Sequence, residues 1–116
     1  MISRSNRFHG FNSLRHVYRQ GQASRGALFA VKAVPNAQRQ AYRAAVVVSR
    51  KVNKSAVVRN RIRRQLYENV RQLSPQFTKP YDIVLTVFHD TVLQTKPVDL
   101  SGQLKKQLKE LGILAK

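Results

Sequence analysis

The sequence predicts a single α+β domain, an α/β sandwich of three helices and a small sheet. Three observations support this. The chain has 116 residues, the size of one ordinary domain. Hydrophobic residues make up 42% of it, enough for one core and far more than a disordered tail carries. Apolar residues recur with a helical period in three segments, and short β-branched runs lie between those segments.

Residues 1–11 read as a flexible basic arm, leaving 12–116 as the domain. A short helix is predicted over 12–20, with Leu14, Val17 and Tyr18 on one face, Asn12 or Ser13 as its cap and Gly21 as its stop. Residues 27–34 (ALFAVKAV) predict a strand ended by Pro35 and Asn36. Residues 42–49 (YRAAVVVS) predict a second strand, buried on both faces in its latter half, and the link from Pro35 to Ala41 reads as a hairpin turn. The clearest helix covers 56–72: Ser55 is its N-cap, and Val58, Ile62, Leu66, Val70 and Leu73 follow a 3.6-residue period. Pro75 and Pro80 bound a loop, and 81–88 (YDIVLTVF) predict another strand. A last helix over 98–112 lines up Leu100, Leu104, Leu108 and Leu111, with Lys105, Lys106 and Lys109 on other faces and Gly112 as its stop. The order is helix, two or three strands, helix, strand, helix. A helix joining two strands can form a βαβ crossover, for which the default hand is right.

Charge narrows the function. Lys and Arg number 22 against 5 Asp and Glu, a net charge of +17, and the first acidic residue is Glu68. Residues 1–67 hold 15 basic residues and no acid, whereas 68–116 hold 7 basic and 5 acidic ones. Such a domain repels itself unless a polyanion neutralises it, so the partner is a nucleic acid or an anionic membrane surface. There is no cysteine, which excludes a disulfide framework and a thiolate metal site and fits a reducing cytoplasm. The basic first ten residues are not followed by a signal-type apolar region, and the longest apolar runs, Ala44 to Val48 among them, fall far short of the roughly 20 residues that a membrane span needs. The expectation is a soluble cytoplasmic protein.

The charge concentrates in Ser49 to Arg64 (SRKVNKSAVVRNRIRR), where Arg50, Lys51, Lys54, Arg59, Arg61, Arg63 and Arg64 carry seven positive charges without an acid. On the 56–72 helix, Arg59 and Arg63 flank the apolar stripe, Arg61 lies on its other flank, and Asn60, Arg64 and Arg71 face away. Arginine's planar fork suits phosphate oxygens and keeps its charge. Packing so many like charges into two turns costs stability unless an anion binds there. Glu68 can pair with Arg64 or Arg71, and Asn60 can contact RNA or order an arginine.

No protein-borne catalytic constellation is visible. His9, His16 and His89 are scattered without metal-ligand spacing. Asp82 and Asp90 are eight residues apart, too far along a strand rising about 3.3 Å per residue to act as a pair. There is no Gly-rich phosphate loop and no Ser-His-Asp arrangement. The chemistry therefore belongs to a partner.

The segment VVVSRKVNKSAVVRNRIRRQLYE resembles the signature of the bacterial ribonuclease P protein component. The resemblance extends to NRFHGFNSLRHVYRQG, LFAVKAVPN, YDIVLTVF and the C-terminal helix, nearly the whole chain. It implies a three-helix, four-stranded sandwich with a left-handed βαβ crossover, reversing the default hand, as in domains of certain ribosomal proteins and a translation elongation factor. It implies a subunit of the ribonuclease P ribonucleoprotein that promotes 5′ maturation of tRNA, with the RNA subunit performing magnesium-dependent hydrolysis and no cofactor held by the protein itself. By position, Arg50, Lys54, Arg59, Asn60, Arg61, Arg63 and Arg64 inherit the contact to the catalytic RNA. Leu14, Tyr18, Phe29, Lys32, Ser49 and Lys51 match a cleft for the single-stranded leader of precursor tRNA, with Tyr18 and Phe29 as stacking rings or, for Phe29 equally, as core. Two positions depart from the family pattern: Leu14 stands where an aromatic residue is common, and Asn53 stands where glycine is common, a position that Asn can fill in a left-handed conformation. The implied partners are the catalytic RNA and precursor tRNA, with no membrane and no small molecule. Competing readings are a ribosomal or other structural RNA-binding protein and, more weakly, a protein-only nuclease.

Overall fold

The computed structural model describes residues 11–36 and 41–114. In chain order it contains α1 (Phe11–Gln20), β1 (Gln22–Arg25), β2 (Phe29–Pro35), β3 (Arg43–Val47), α2 (Ala56–Leu73), β4 (Tyr81–Val87) and α3 (Pro97–Glu110). The four strands form one mixed sheet in the order β1-β2-β4-β3. β1 pairs with β2 and β2 with β4 antiparallel, while β3 and β4 run parallel. Helix α2 is therefore the crossover of a βαβ unit.

The structure corrects two expectations and locates a strand that the sequence left open. β3 does not form a hairpin with β2, because β4 lies between them; residues 37–40 of the link fall outside the described residues. The third strand before α2, allowed by the sequence but not located in it, is β1. Only Ser24 of its four residues is buried, so it carries no hydrophobic alternation to read. Helix α1 starts at Phe11, which places Asn12 and Ser13 inside its first turn rather than before it. The basic arm reaches the described residues only at Phe11; residues 1–10 lie outside them.

Strand alternation gives the sheet two different faces. Phe29, Val31 and Ala33 of β2, Ile83, Leu85 and Val87 of β4, and Ala44 and Val46 of β3 point to one face. There they pack with Ile62, Leu66, Val70 and Leu73 of α2 and Leu100, Leu104 and Leu108 of α3 in one core. The predicted apolar stripes face this core: Ile62, Leu66, Val70, Leu73, Leu100, Leu104 and Leu108 are buried, and Val58 and Leu111 are partly buried against it. On the opposite face Val17 of α1 packs against Ala45 and Val84, with Leu14, Val34 and Val47 around them. Helix α1 thus adds a partial layer on the face opposite α2 and α3.

Polar groups tie these layers. The Gln107 side-chain amide donates to the carbonyls of Ser24 and Phe29 at 2.8 and 3.2 Å, and the Ser24 hydroxyl donates to Glu110 at 2.6 Å, fastening the β1–β2 hairpin to α3. β3 is an edge strand, yet Ala44, Ala45, Val46 and Val48 are buried. The Val46 N–H on that strand donates to the Tyr67 hydroxyl at 3.1 Å. Two glycines are required by the backbone. A Cβ at Gly21 would sit 2.5 Å from the Val17 carbonyl and 3.1 Å from that of Ala33, so only glycine turns α1 into β1 there. Gly112 has φ 77°, a left-handed conformation, and closes α3.

Candidate nucleic-acid interface

The basic segment folds as a turn followed by a capped helix. The Val52 N–H donates to the Ser49 carbonyl at 3.1 Å, closing the turn. The Ser55 side chain accepts from the Val58 N–H, as expected of the N-cap. Asn53 holds the loop by a route its sequence position did not reveal. Its Oδ1 accepts from the Ser55 N–H at 2.9 Å, and its Nδ2 donates to Asp90 at 2.9 Å. It is not left-handed, since no described non-glycine residue has positive φ. The glycine-compatible conformation expected of Asn53 is therefore replaced by side-chain bonding.

The arginines divide into two groups. The Arg59 guanidinium donates to the carbonyls of Asn53 and Lys54 at 3.1 and 3.0 Å. The Arg63 guanidinium donates to Asn60 Oδ1 at 2.7 Å and to the Val48 carbonyl at 3.3 Å. Both are half-buried and brace the loop against α2. Arg61 and Arg64 are exposed, as are Arg50, Lys51 and Lys54, and none of these five side chains has a hydrogen-bond or ion-pair partner among the described residues. Glu68 pairs with Arg71 rather than Arg64: Arg71 Nε donates to its two oxygens at 3.1 and 3.0 Å. That guanidinium holds the Glu68 carboxyl down to about 2.

A second feature lies on the α1 face of the sheet. Tyr18 is exposed at the end of α1. The Lys32 ammonium lies 5.6 Å from the Tyr18 ring centre and donates to the Tyr18 carbonyl at 2.7 Å, so it also anchors the C-terminal turn of α1. Beyond Lys32 the sheet presents Ala30, Thr86 and Val47, adjacent in register and only half-buried. Leu14 packs beside Val17 under the helix, and Ser49 and Lys51 are exposed past the end of β3. Phe29 is not part of this cleft. It is fully buried on the opposite face, because strand alternation turns it away from Ala30 and Lys32.

Among the described residues, no three His, Asp or Glu side chains converge into a cluster that could hold a metal ion. Asp82 is occupied by Arg43, at 2.9 and 2.7 Å, and by Asn36 at 3.0 Å. The hydrogen bond to Asp82 raises the Arg43 pKa further. His16 and His89 are exposed and far apart in the chain, and His9 lies outside the described residues. No described helix is long and apolar enough to cross a membrane.

A family model described as ribonuclease P matches residues 2–112. The chain belongs to the ribonuclease P protein family. It is 34% identical to the ribonuclease P protein component of Pseudanabaena sp. over 98% of this chain and 97% of that protein. The ribonuclease P protein of Staphylococcus aureus superposes with a TM-score of 0.81 at 21% identity, over 94% of this chain and 97% of that one. The Thermotoga maritima ribonuclease P protein superposes with a TM-score of 0.70 at 22% identity, over 84% and 87%. The chain path, crossover included, is that of the ribonuclease P protein fold. The chain is thus an accessory protein subunit of the endoribonuclease that matures the 5′ ends of tRNA.

Three features of this ribonuclease P protein were not found from sequence. One is the Asn53–Asp90 bond, which joins residues 37 positions apart. Another is the bracing role of Arg59 and Arg63, which charge alone does not distinguish from Arg61 and Arg64. The third is the low cleft floor of Ala30, Thr86 and Val47, whose small side chains carry no chemical signal. Strand parity could have placed Ala30 there, since Lys32 shares its face.

Proposed function

We propose that this subunit binds the catalytic RNA of ribonuclease P through the 49–64 loop and helix, and binds the single-stranded 5′ leader of precursor tRNA along the α1 cleft. The observation that carries this reading is the group of five exposed cations (Arg50, Lys51, Lys54, Arg61 and Arg64) that lack a partner among the described residues. Arg50, Lys51 and Lys54 project from a loop held in shape by Arg59, Arg63 and Asn53, and Arg61 and Arg64 from the first turns of α2. The backbone that carries them is preformed, so binding has to order the five side chains but not the loop. Each phosphate neutralised releases condensed counterions and gives a salt-dependent affinity.

Hydrolysis belongs to the RNA, with magnesium as its ion. The protein's cations lower the repulsion between catalytic RNA and substrate, which reduces the magnesium needed. Its cleft adds affinity for the leader-bearing precursor only, so mature product leaves more readily. Unstacked leader bases meet the Tyr18 ring while Lys32, Lys51 and the Ser49 hydroxyl lie along the backbone path. The subunit works in the cytoplasm on this reading. Adding the chain to a bacterial ribonuclease P RNA at low magnesium should restore cleavage of precursor tRNA. RNA binding without stimulation would instead indicate a structural RNA-binding role, and cleavage by the protein without RNA would move the chemistry onto the chain.

A further inference from the structure

The α1 face of the sheet carries a second cation–aromatic pair. Arg25 at the end of β1 lies with its guanidinium carbon 4.5 Å from the centre of the Phe88 ring. Register puts the pair on the cleft side. Arg25 is opposite Ala30, Ala30 is opposite Thr86, and Phe88 is two residues past Thr86. The Phe88 N–H donates to the Leu28 carbonyl at 2.8 Å, which continues the β2–β4 ladder and keeps the alternation in phase. Phe88 is half-buried and Arg25 is exposed above it.

The cleft floor therefore has three successive rows. Lys32, with the Tyr18 ring beside it, forms the first; Ala30, Thr86 and Val47 form the second; Phe88 forms the third, capped by Arg25. Rows are two residues apart, so the outer ones are separated by about 13 Å at about 3.3 Å per residue. The middle row is small and low, and both ends carry an aromatic ring with a cation over it. A flat guanidinium resting on a ring offers its free face to a nucleobase and its edge N–H groups to a phosphate. No acidic side chain pairs with Arg25 among the described residues to consume that capacity.

We propose that Arg25 stacked on Phe88 is a second nucleobase subsite for single-stranded RNA, at the end of the cleft away from Tyr18. This rests on the leader reading above and extends it: the leader is gripped at two points with a low, sequence-tolerant floor between them. Arg25 is the contact residue, and Phe88 is the platform that holds its plane.

The test uses reconstituted holoenzyme and precursor tRNAs whose leaders are shortened one nucleotide at a time. Dissociation constants are measured for the wild type, Arg25→Ala, Arg25→Lys and Tyr18→Ala. Arg25→Ala should weaken binding by about tenfold, the loss of one stacked base. The loss should set in at a leader length different from that for Tyr18→Ala and be absent for mature tRNA. Arg25→Lys should recover less than half of the loss in logarithmic terms, because it restores charge but not the plane. Wild-type affinity in Arg25→Ala at every leader length, with Tyr18→Ala still impaired, overturns the second subsite and leaves the leader cleft standing. Equal loss for precursor and mature tRNA also overturns it, as does full recovery by lysine. Indifference of both Arg25→Ala and Tyr18→Ala to the leader removes the cleft reading as well.

Discussion

The two faces of one sheet do opposite work. The face under α2 and α3 carries Phe29, Val31, Ile83 and Leu85, all fully buried. The face under α1 carries Ala30, Lys32, Thr86 and the Arg43–Asp82 pair on the alternate residues of the same strands. One face supplies the apolar burial that makes the domain stable. The other is left short of large side chains, with α1 covering part of it and a groove remaining. A strand that alternates strictly can serve both ends, because neighbouring residues face different environments. On the proposed reading, stability and RNA binding are encoded in interleaved positions and should be separable by mutation.

The largest expected effect tests that separation. Phe29→Ala should lower unfolding free energy by about 3–5 kcal/mol, as for a buried aromatic. Thr86→Ala, on the other face, should cost about 1 kcal/mol or less. Chemical denaturation of both variants checks this, and comparable losses would erase the distinction between the faces. Folded Phe29→Leu should still discriminate precursor from mature tRNA; loss of that discrimination without loss of stability would return Phe29 to the cleft.

The arginine helix gives the next effect. Replacing Arg59, Arg61 and Arg63 together by Ala should weaken catalytic-RNA binding and make its salt dependence shallower, by about 0.7–0.9 in logarithmic slope for each phosphate no longer neutralised. The single variants sharpen the point. Arg61→Ala should change the slope and leave stability unmoved. Arg59→Ala should act mainly on stability, losing about 1 kcal/mol, because the carbonyls of Asn53 and Lys54 lose their donor. An unchanged slope in the triple variant would mean these side chains do not touch phosphate.

Tyr18→Ala should raise KM for leader-bearing substrate by about tenfold, from one stacked base at about 1–3 kcal/mol. Its affinity for mature tRNA should be unchanged, and equal effects on both would take Tyr18 out of the cleft. The smallest effect is a pH dependence far from either face. Glu68 is held down to about 2 in the folded chain against an ordinary value of 4.5. Its folded pKa is lowered, so its contribution is present above 4.5 and is lost as pH falls toward 2. Glu68→Gln should flatten stability slightly over that window. A profile identical to the wild type would show that the exposed pair with Arg71 contributes nothing measurable.

Much of this was legible in the sequence because the signals are periodic. The leucines of α3 and the Val58 to Leu73 stripe of α2 announce helices and the face each buries. Ser55 marks a helix start and Gly112 a helix end. The acid-free run from Arg50 to Arg64 announces a polyanion partner without any structure. What stayed hidden depends on interactions between distant residues. β1 has no hydrophobic pattern, and its position follows from pairing with β2 and from Gln107 on α3. The insertion of β4 between β2 and β3 is a topological fact that no local turn signal states. Phe29 was ambiguous because an aromatic residue in an apolar strand fits a core and a stacking platform equally, and one step of strand parity decided it. The division between bracing and free arginines depends on where the Val48 and Asn53 carbonyls lie, which charge counting does not reveal.

On the proposed reading, this chain adds substrate affinity through the leader and leaves hydrolysis to RNA. The most direct measurement compares the dissociation constants of precursor and mature tRNA for the ribonuclease P RNA alone and for the RNA with this chain, at matched salt and magnesium. Clear tightening is expected for the precursor and little change for mature tRNA. Equal tightening for both would mean that the protein acts as a general cationic glue, and the α1 cleft would lose its function.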